Sequence, residues 1–393
     1  MRRRNLLTLL TIGLVATAAF GADDIEKLDP AKLPSVKPPA TTQGQSPLCI
    51  KVLVLDFNPW IPAKLHSPDD PNAKPKGLRE VGGWNDPIPL AAGYMQDLCD
   101  ASGGLVQYEI AEWLVVRRFQ KKTDGFTYTP ETYMKCLRNW KHGNDPWHKP
   151  DGLDYPHMID EFNIIPRVES GEIDEVWMMG IPFFGYWESC MAGKDAYFVN
   201  GGVYDKVPCH RRFVVMGFNV ERGVAEMIHD VTHRTEATMS RIYGGWKCDQ
   251  LTSNWAKFAA NQKQSGTAAV GTCHYPPNAE SDYDYANKRI VESTADDWLN
   301  YPNLTGQKRS FNCDEWRGPY KNHDGNPDYH RNYQCWWFTH LPKAPGVNAD
   351  GRLNNWWEYL YNFNTYDERG QQLPGVKSPK DVKAQRKGLR RPA

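Results

Sequence analysis

No charge of either sign dominates this 393-residue chain: 47 Lys and Arg stand against 47 Asp and Glu. The balance removes the electrostatic case for nucleic acid or an anionic membrane as a partner. No apolar run reaches the roughly 20 residues that a bilayer-spanning helix needs. No G-x-G-x-x-G or Walker sequence opens a helix, so nucleotide binding has no motif. Glu188-Ser189-Cys190 is not set in G-x-S-x-G, so its serine lacks a nucleophile elbow. No two cysteines stand as C-x-x-C, which leaves a zinc ribbon without support.

What is present begins at the N-terminus. Arg2, Arg3 and Arg4 precede the apolar stretch Leu6–Phe20, with small residues at Ala19 and Gly21. This is the layout of a cleaved secretory signal, assigned to residues 1–22. It predicts a secreted or periplasmic protein with no membrane span after cleavage. Export makes the nine cysteines disulfide candidates, with Cys190–Cys209, Cys248–Cys273 and Cys313–Cys335 as local bridges. Each would close a loop of roughly 20 residues, worth about 3 kcal/mol. Nine is odd, so one cysteine remains free or pairs with another chain.

Residues 23–47, rich in Pro, Lys, Thr and Gln, read as a disordered linker. Cys49–Phe57 is apolar nearly throughout, as a strand covered on both faces would be. Helices follow at Ile88–Ala101, from Thr129 to Trp140, and at Tyr155–Ser170 with a kink or break at Pro166. Strands are expected at Leu105–Arg118, Ile173–Gly180 and Phe213–Phe218, and a long helix from Val220 to Tyr243. This alternation predicts an α/β fold with a largely parallel central sheet flanked by helices. A short helix is expected from Asn254 to Gln262. From about residue 247 the chain otherwise reads as turns, a loop-rich and aromatic-rich half packed on the sheet. Residues 48–370 form a single integrated domain on this reading. Residues 371–393 form a disordered basic tail, where Val376–Ala393 has seven Lys and Arg against one Asp.

The long helix carries the densest set of potential metal ligands. At 100° per residue, Glu226, His229, His233, Glu236 and Ser240 fall on one stripe, and Val224, Met227, Val231 and Ile242 lie opposite. Histidines four apart reach one ion from one helix face. The competing reading is a pair of histidines hydrogen-bonded beneath the loop-rich half.

Over residues 229–233, His-Asp-Val-Thr-His resembles the H-E-x-x-H helix of zincin metallopeptidases. The resemblance implies His229 and His233 as zinc ligands and Asp230 in place of the general-base Glu; the stripe itself offers Glu226 as an alternative base. Asp is one methylene shorter, so its carboxylate must approach by another route. The third ligand stays open among Glu236, His274 and Glu292. The same His-Asp pair is similar to that of HD-domain phosphohydrolases, but those folds are all-helical, whereas a strand feeds this helix. Three segments, residues 174–193, 216–236 and 295–306, look like a family of secreted bacterial proteins of unassigned activity. That resemblance implies one integrated domain and bacterial export, and supplies no substrate.

Other features compete with the helix. In an open parallel sheet ligands bind beyond the carboxyl ends of the strands. Asp56, residues 182–188 and residues 219–221 belong to that crest. A helix from Val220 would set His229 about 13–15 Å along the axis from it. A metal there needs a lid, and His274 is the first residue to seek. Asn322, Asp324, Asn326 and Asp328 alternate as a loop around calcium would, or as turn-forming residues do. Trp337 and Trp357 are candidates for a glycan platform. The leading expectation is an exported zinc-dependent hydrolase acting on an extracellular peptide or cell-wall polymer. The alternative is a non-catalytic module that binds surface glycan through Trp and Tyr. Oligomeric state and substrate are not read from the sequence.

Overall fold

A computed structural model describes residues 24–39, 45–140, 142–143, 145–245, 250–374 and 376. The assigned signal segment, Cys248 and most of the basic tail lie outside the described residues. Seven strands form one sheet: β1 Ile25–Lys27, β2 Leu48–Phe57, β3 Val106–Val116, β4 Glu175–Gly180, β5 Ser189–Ala192, β6 Val203–Tyr204 and β7 Phe213–Asn219. Their order is β1-β3-β2-β4-β7-β5-β6. The centre, β3-β2-β4-β7, is parallel, while β1 on β3 and β5 on β7 are antiparallel. Every residue of β4 is buried, as a strand covered on both faces requires.

Besides three short helices at Ala63–His66, Leu78–Gly82 and Gln262–Ser265, the described helices are α1 Pro87–Ala101, α2 Pro130–Trp140, α3 Tyr155–Glu161, α4 Ile164–Glu169, α5 Val224–Ile242, α6 Asn254–Phe258, α7 Tyr329–His340 and α8 Trp357–Tyr361. Among the described residues no helix is long and apolar enough to cross a membrane. The α/β architecture with a mostly parallel sheet stands as the alternation of strands and helices predicts. The chain passes from β2 to β3 on one side and then crosses back to β4 on the other, so the strand order reverses between β2 and β4, where α/β sheets open a crevice.

Helix α5 packs against α1, α7, α8 and β7. A buried ion pair fixes its rotation. Arg234 and Glu175, each 1 % exposed, bring Nη1 within 2.7 Å of Oε1. Arg234 also donates Nη2 to the Leu360 carbonyl at 2.7 Å and lies over the Tyr361 ring. One side chain thus ties α5 to β4 and α8.

Several expectations are corrected. The stretch expected as a disordered linker supplies β1, which covers the edge of β3. Strands β5 and β6 lie between the strands expected at Ile173–Gly180 and Phe213–Phe218, where the sequence marks no element. The helix from Tyr155 breaks at Asn163, with φ of 50°, ahead of Pro166. Helix α7 occupies a region expected to be turns. Its aromatic sequence has weak intrinsic helix preference, so burial and the Asp328 cap decide it. The eight described cysteines, Cys273 included, are all free, so Cys190–Cys209 and Cys313–Cys335 are not bridged. Trp337 and Trp357 are wholly buried and cannot stack on an external sugar. Adjacent aromatics here alternate around helices, not along an extended chain.

Replacing Arg234 by Met would leave the Glu175 carboxylate buried and unpaired. The expected loss is about 3–5 kcal/mol in urea denaturation, largely recovered in R234M/E175L, where no charge remains. An equal loss in the double variant would show that packing, not charge, holds the helix.

Candidate metal centre

Helix α5 begins at Val224, with Gly223 as N-cap and the Glu226 carboxylate accepting from the Gly223 N–H. His229 therefore lies about 7.5 Å along the axis, closer to the crest than a helix from Val220 allows. Ile181 and Asn219 from the crest and His229 from the helix line one cavity. Apart from Asp56, the two candidate locations share one cavity.

His229 and His233 project one turn apart from α5, with ring centroids 4.6 Å apart. His274 comes from the loop after α6. Its Nε2 lies 3.0 Å from His233 Nε2 and 3.2 Å from His229 Nε2. Two nitrogens bound to one tetrahedral zinc at 2.0–2.1 Å stand roughly 3.3 Å apart, so the spacing approaches that of a ligand set. The opposite ring nitrogens are all engaged. His233 Nδ1 meets Glu236 Oε2 at 2.9 Å, His274 Nδ1 meets Asp282 Oδ1 at 3.0 Å, and His229 Nδ1 meets His330 Nε2 at 3.0 Å. A carboxylate on Nδ1 keeps the proton there and turns the Nε2 lone pair inward. Neutral imidazoles so arranged face one another lone pair to lone pair, which a cation or a proton between them relieves.

Cys273 completes the group. His229, His233, Cys273 and His274 each offer a ligand atom within 4.8 Å of the others, and this set could hold a metal ion. The loop that carries Cys273 and His274 is clamped by α7. Tyr333 donates its hydroxyl to the Thr272 carbonyl at 2.8 Å, Gln334 its amide to the Cys273 carbonyl at 2.9 Å, and Trp337 its indole to the Gly271 carbonyl at 3.0 Å. From the other side, Glu236 Oε1 accepts from the Cys273 N–H at 2.7 Å. Gly271 has φ of +90°, and a Cβ there would run into the Tyr275 carbonyl and the Tyr333 hydroxyl. Helix α7 is in turn pinned to α1, because Arg331 Nε donates to Asp97 Oδ2 at 2.8 Å and Nη2 to Oδ1 at 3.1 Å.

The electrostatics follow the geometry. Burial, then repulsion from His233, His330 and His274, pulls His229 down to about 2. Burial opposes charge on His233 as well, but the hydrogen bond and charge of Glu236 outweigh it and raise its pKa. Burial, with help from Glu236 and Glu188, pushes the Cys273 thiol well up, so the sulfur keeps its proton unless a cation displaces it. Burial, then the charges of Glu188 and Glu226, lifts Asp230 well above the usual carboxylate range.

Two cavities flank the triad. One, of about 430 Å³, reaches His229 and is walled by Glu188, Glu226, Asp230 and His330. The other, of about 570 Å³, reaches His233 and Glu236 and is walled by Tyr197, Phe198 and Arg241. Glu188 of the first wall accepts from Asn200 of the second. Tyr283 lies against His274 with centroids 4.3 Å apart and stacks parallel to His229.

The remaining candidates fall as follows. Glu236 backs His233 and the Cys273 amide. Glu226 caps α5 and walls the cavity beside Asp230. Glu292 lies on an exposed strand, where Ser310 donates to it. Asp56 is buried at the end of β2, in a separate cavity, paired with Arg79 at 2.7 Å. Asn322 accepts from the Asp324 and Asn326 amides, and Asp328 caps α7, so those side chains serve turns and a helix end. Sequence reasoning missed Cys273, Asp282 and His330 and placed Glu188 on the crest alone. The adjacent Cys273-His274 pair was a signal, hidden by the assignment of Cys273 to a disulfide. His330 was hidden with its helix, and nothing in the sequence marks Asp282. Comparison of the chain with protein-family models, curated proteins and solved structures finds no match.

Because the folded-state pKa of Asp230 is raised above 3.8, the folded protein holds a proton that the unfolded chain releases. Its contribution therefore falls as pH rises from about 4 toward the folded pKa. Melting temperatures of chelator-treated protein across pH 4–8, compared with D230N, should show a shallower decline in the variant. Parallel curves would remove Asp230 as a source of that slope.

Proposed function

We propose that the protein is an exported zinc-dependent hydrolase, with His229, His233 and His274 as ligands through Nε2 and Cys273 at the fourth position or beside it. The observation that carries the reading is the convergence of three imidazole nitrogens whose opposite nitrogens are each already engaged. Imidazole with one sulfur is a borderline-soft donor set, suited to zinc over magnesium or calcium. A bound zinc would supply a Lewis acid and an activated water.

The chain's own groups take the remaining tasks. Glu226 has one oxygen on the Gly223 amide and walls the cavity, so it is the base in this reading. Asp230, whose pKa burial raises, stands one turn further along α5 in the same wall. Cavities on both sides of the triad favour an extended substrate, a peptide or cell-wall polymer crossing the centre.

Metal analysis of purified protein is the direct test, with near one zinc per chain expected and His233→Ala losing it. A full complement of metal in H233A would place the site elsewhere. Glu236→Gln keeps the hydrogen-bonding shape but removes the charge behind His233. It should weaken zinc about 10–100-fold in a competitive chelator titration. Hydrolysis of peptide and peptidoglycan substrates should stop on chelation and return with zinc; activity that survives chelation would defeat the reading.

A further inference from the structure

The cavity on the His229 side holds a carboxylate that the protein does not satisfy. Asp230 is 8 % exposed and lines the cavity, and among the described residues it accepts no hydrogen bond and joins no ion pair. Buried carboxylates are ordinarily paired or hydrogen-bonded, because an unpaired charge out of water is costly. Glu188 and Glu226 line the same cavity, each with one hydrogen-bond donor, the Asn200 amide and the Gly223 N–H. Asp151, in the same wall, is neutralised by Lys122 at 2.6 Å. Arg222 is the one Arg or Lys among the described lining residues, and it is exposed. The wall carries more negative than positive charge.

A second metal ion is not what these carboxylates fit. Among the described residues the one group compact enough for an ion is His229, His233, Cys273 and His274. Glu188, Glu226 and Asp230 therefore surround a wider space, one of about 430 Å³. Phe183, Phe184, Tyr186 and Tyr283 supply its other walls. Carboxylates with aromatic faces hold organic cations, the charge on the oxygens and the carbon groups on the rings.

We propose that this cavity is a subsite for a protonated primary amine carried by the substrate, held by Asp230 and Glu188 beside the histidine triad. That the amine belongs to the substrate rests on the hydrolase reading; that the cavity binds an amine does not. The α-amine of a peptide and the ring amine of an amino sugar offer the same chemistry.

Calorimetric titration of the full chain tests this, both zinc-loaded and chelator-treated. The cationic probes are glycinamide and glucosamine, and their N-acetyl forms are the neutral controls. At least one amine should bind, about tenfold more tightly than its N-acetyl form, the difference expected of a charge-assisted contact. D230N and E188Q should each weaken amine binding by about fivefold or more. Glu188 lies on a different element from Asp230, so E188Q decides the matter if D230N does not fold. Glycinamide as the better ligand points to peptide, and glucosamine to amino sugar. Absence of binding by both amines, equal binding of the N-acetyl forms, or unchanged affinity in E188Q overturns the proposal. Amine binding in a protein that takes up no zinc leaves the subsite standing and removes the hydrolase reading. Zinc uptake without amine binding does the reverse.

Discussion

The buried pair of Arg234 and Glu175 is the constraint on which the site depends. A helix packed among α1, α7, α8 and the sheet has little solvent to orient its polar residues. Arg234 can be buried only where a carboxylate meets it, and Glu175 on β4 is that carboxylate. Once the two are joined, the rotation of α5 is set. His229 and His233 lie 140° and 100° around the wheel from Arg234, away from the sheet and toward the loop that brings His274. The charge pair selects which face of the helix becomes a site.

The other half of the site comes from far along the chain, through α7. Its Asp97–Arg331 anchor fixes it to α1, and its next residues, Tyr333, Gln334 and Trp337, hold the backbone of residues 271–273. His330, on the same helix, meets His229. Thr232 of α5 donates to Gln334, so α5, α7 and the Cys273 loop share one hydrogen-bond network. The C-terminal half is therefore part of the site's construction, and the aromatic content that suggests a glycan platform is the packing material of that construction. Trp337 shows the economy of it: the ring is core and the indole N–H closes the Gly271 loop.

What the sequence disclosed follows from the range of the interactions involved. The parallel sheet was legible because β2, β4 and β7 are apolar nearly throughout, and the stripe on α5 because helical periodicity is local. Helix α7 was not legible, since its aromatic residues gain their conformation from burial against partners distant in sequence, such as Trp255 and Phe258 for Trp337. The edge strand β1 is three residues whose pairing depends on β3 alone. His274 could be sought as a downstream ligand because a two-histidine helix demands a third. Asp282 and His330 answer a question about the back of each ring that sequence spacing does not pose.

The distribution of partners also separates a prepared centre from a chance cluster. Histidines gathered merely to fill a polar pocket would satisfy one another through alternating donors and acceptors. Here Glu236 and Asp282 hold the outer nitrogens of His233 and His274, so both protons are drawn outward and the inner nitrogens share none. His229 resists protonation, because it is buried and faces the other rings. Glu236 favours a proton on His233, at the expense of geometry that suits neutral rings. The arrangement is unfavourable for hydrogen bonding and favourable for coordination, and that asymmetry is the physical case for a metal.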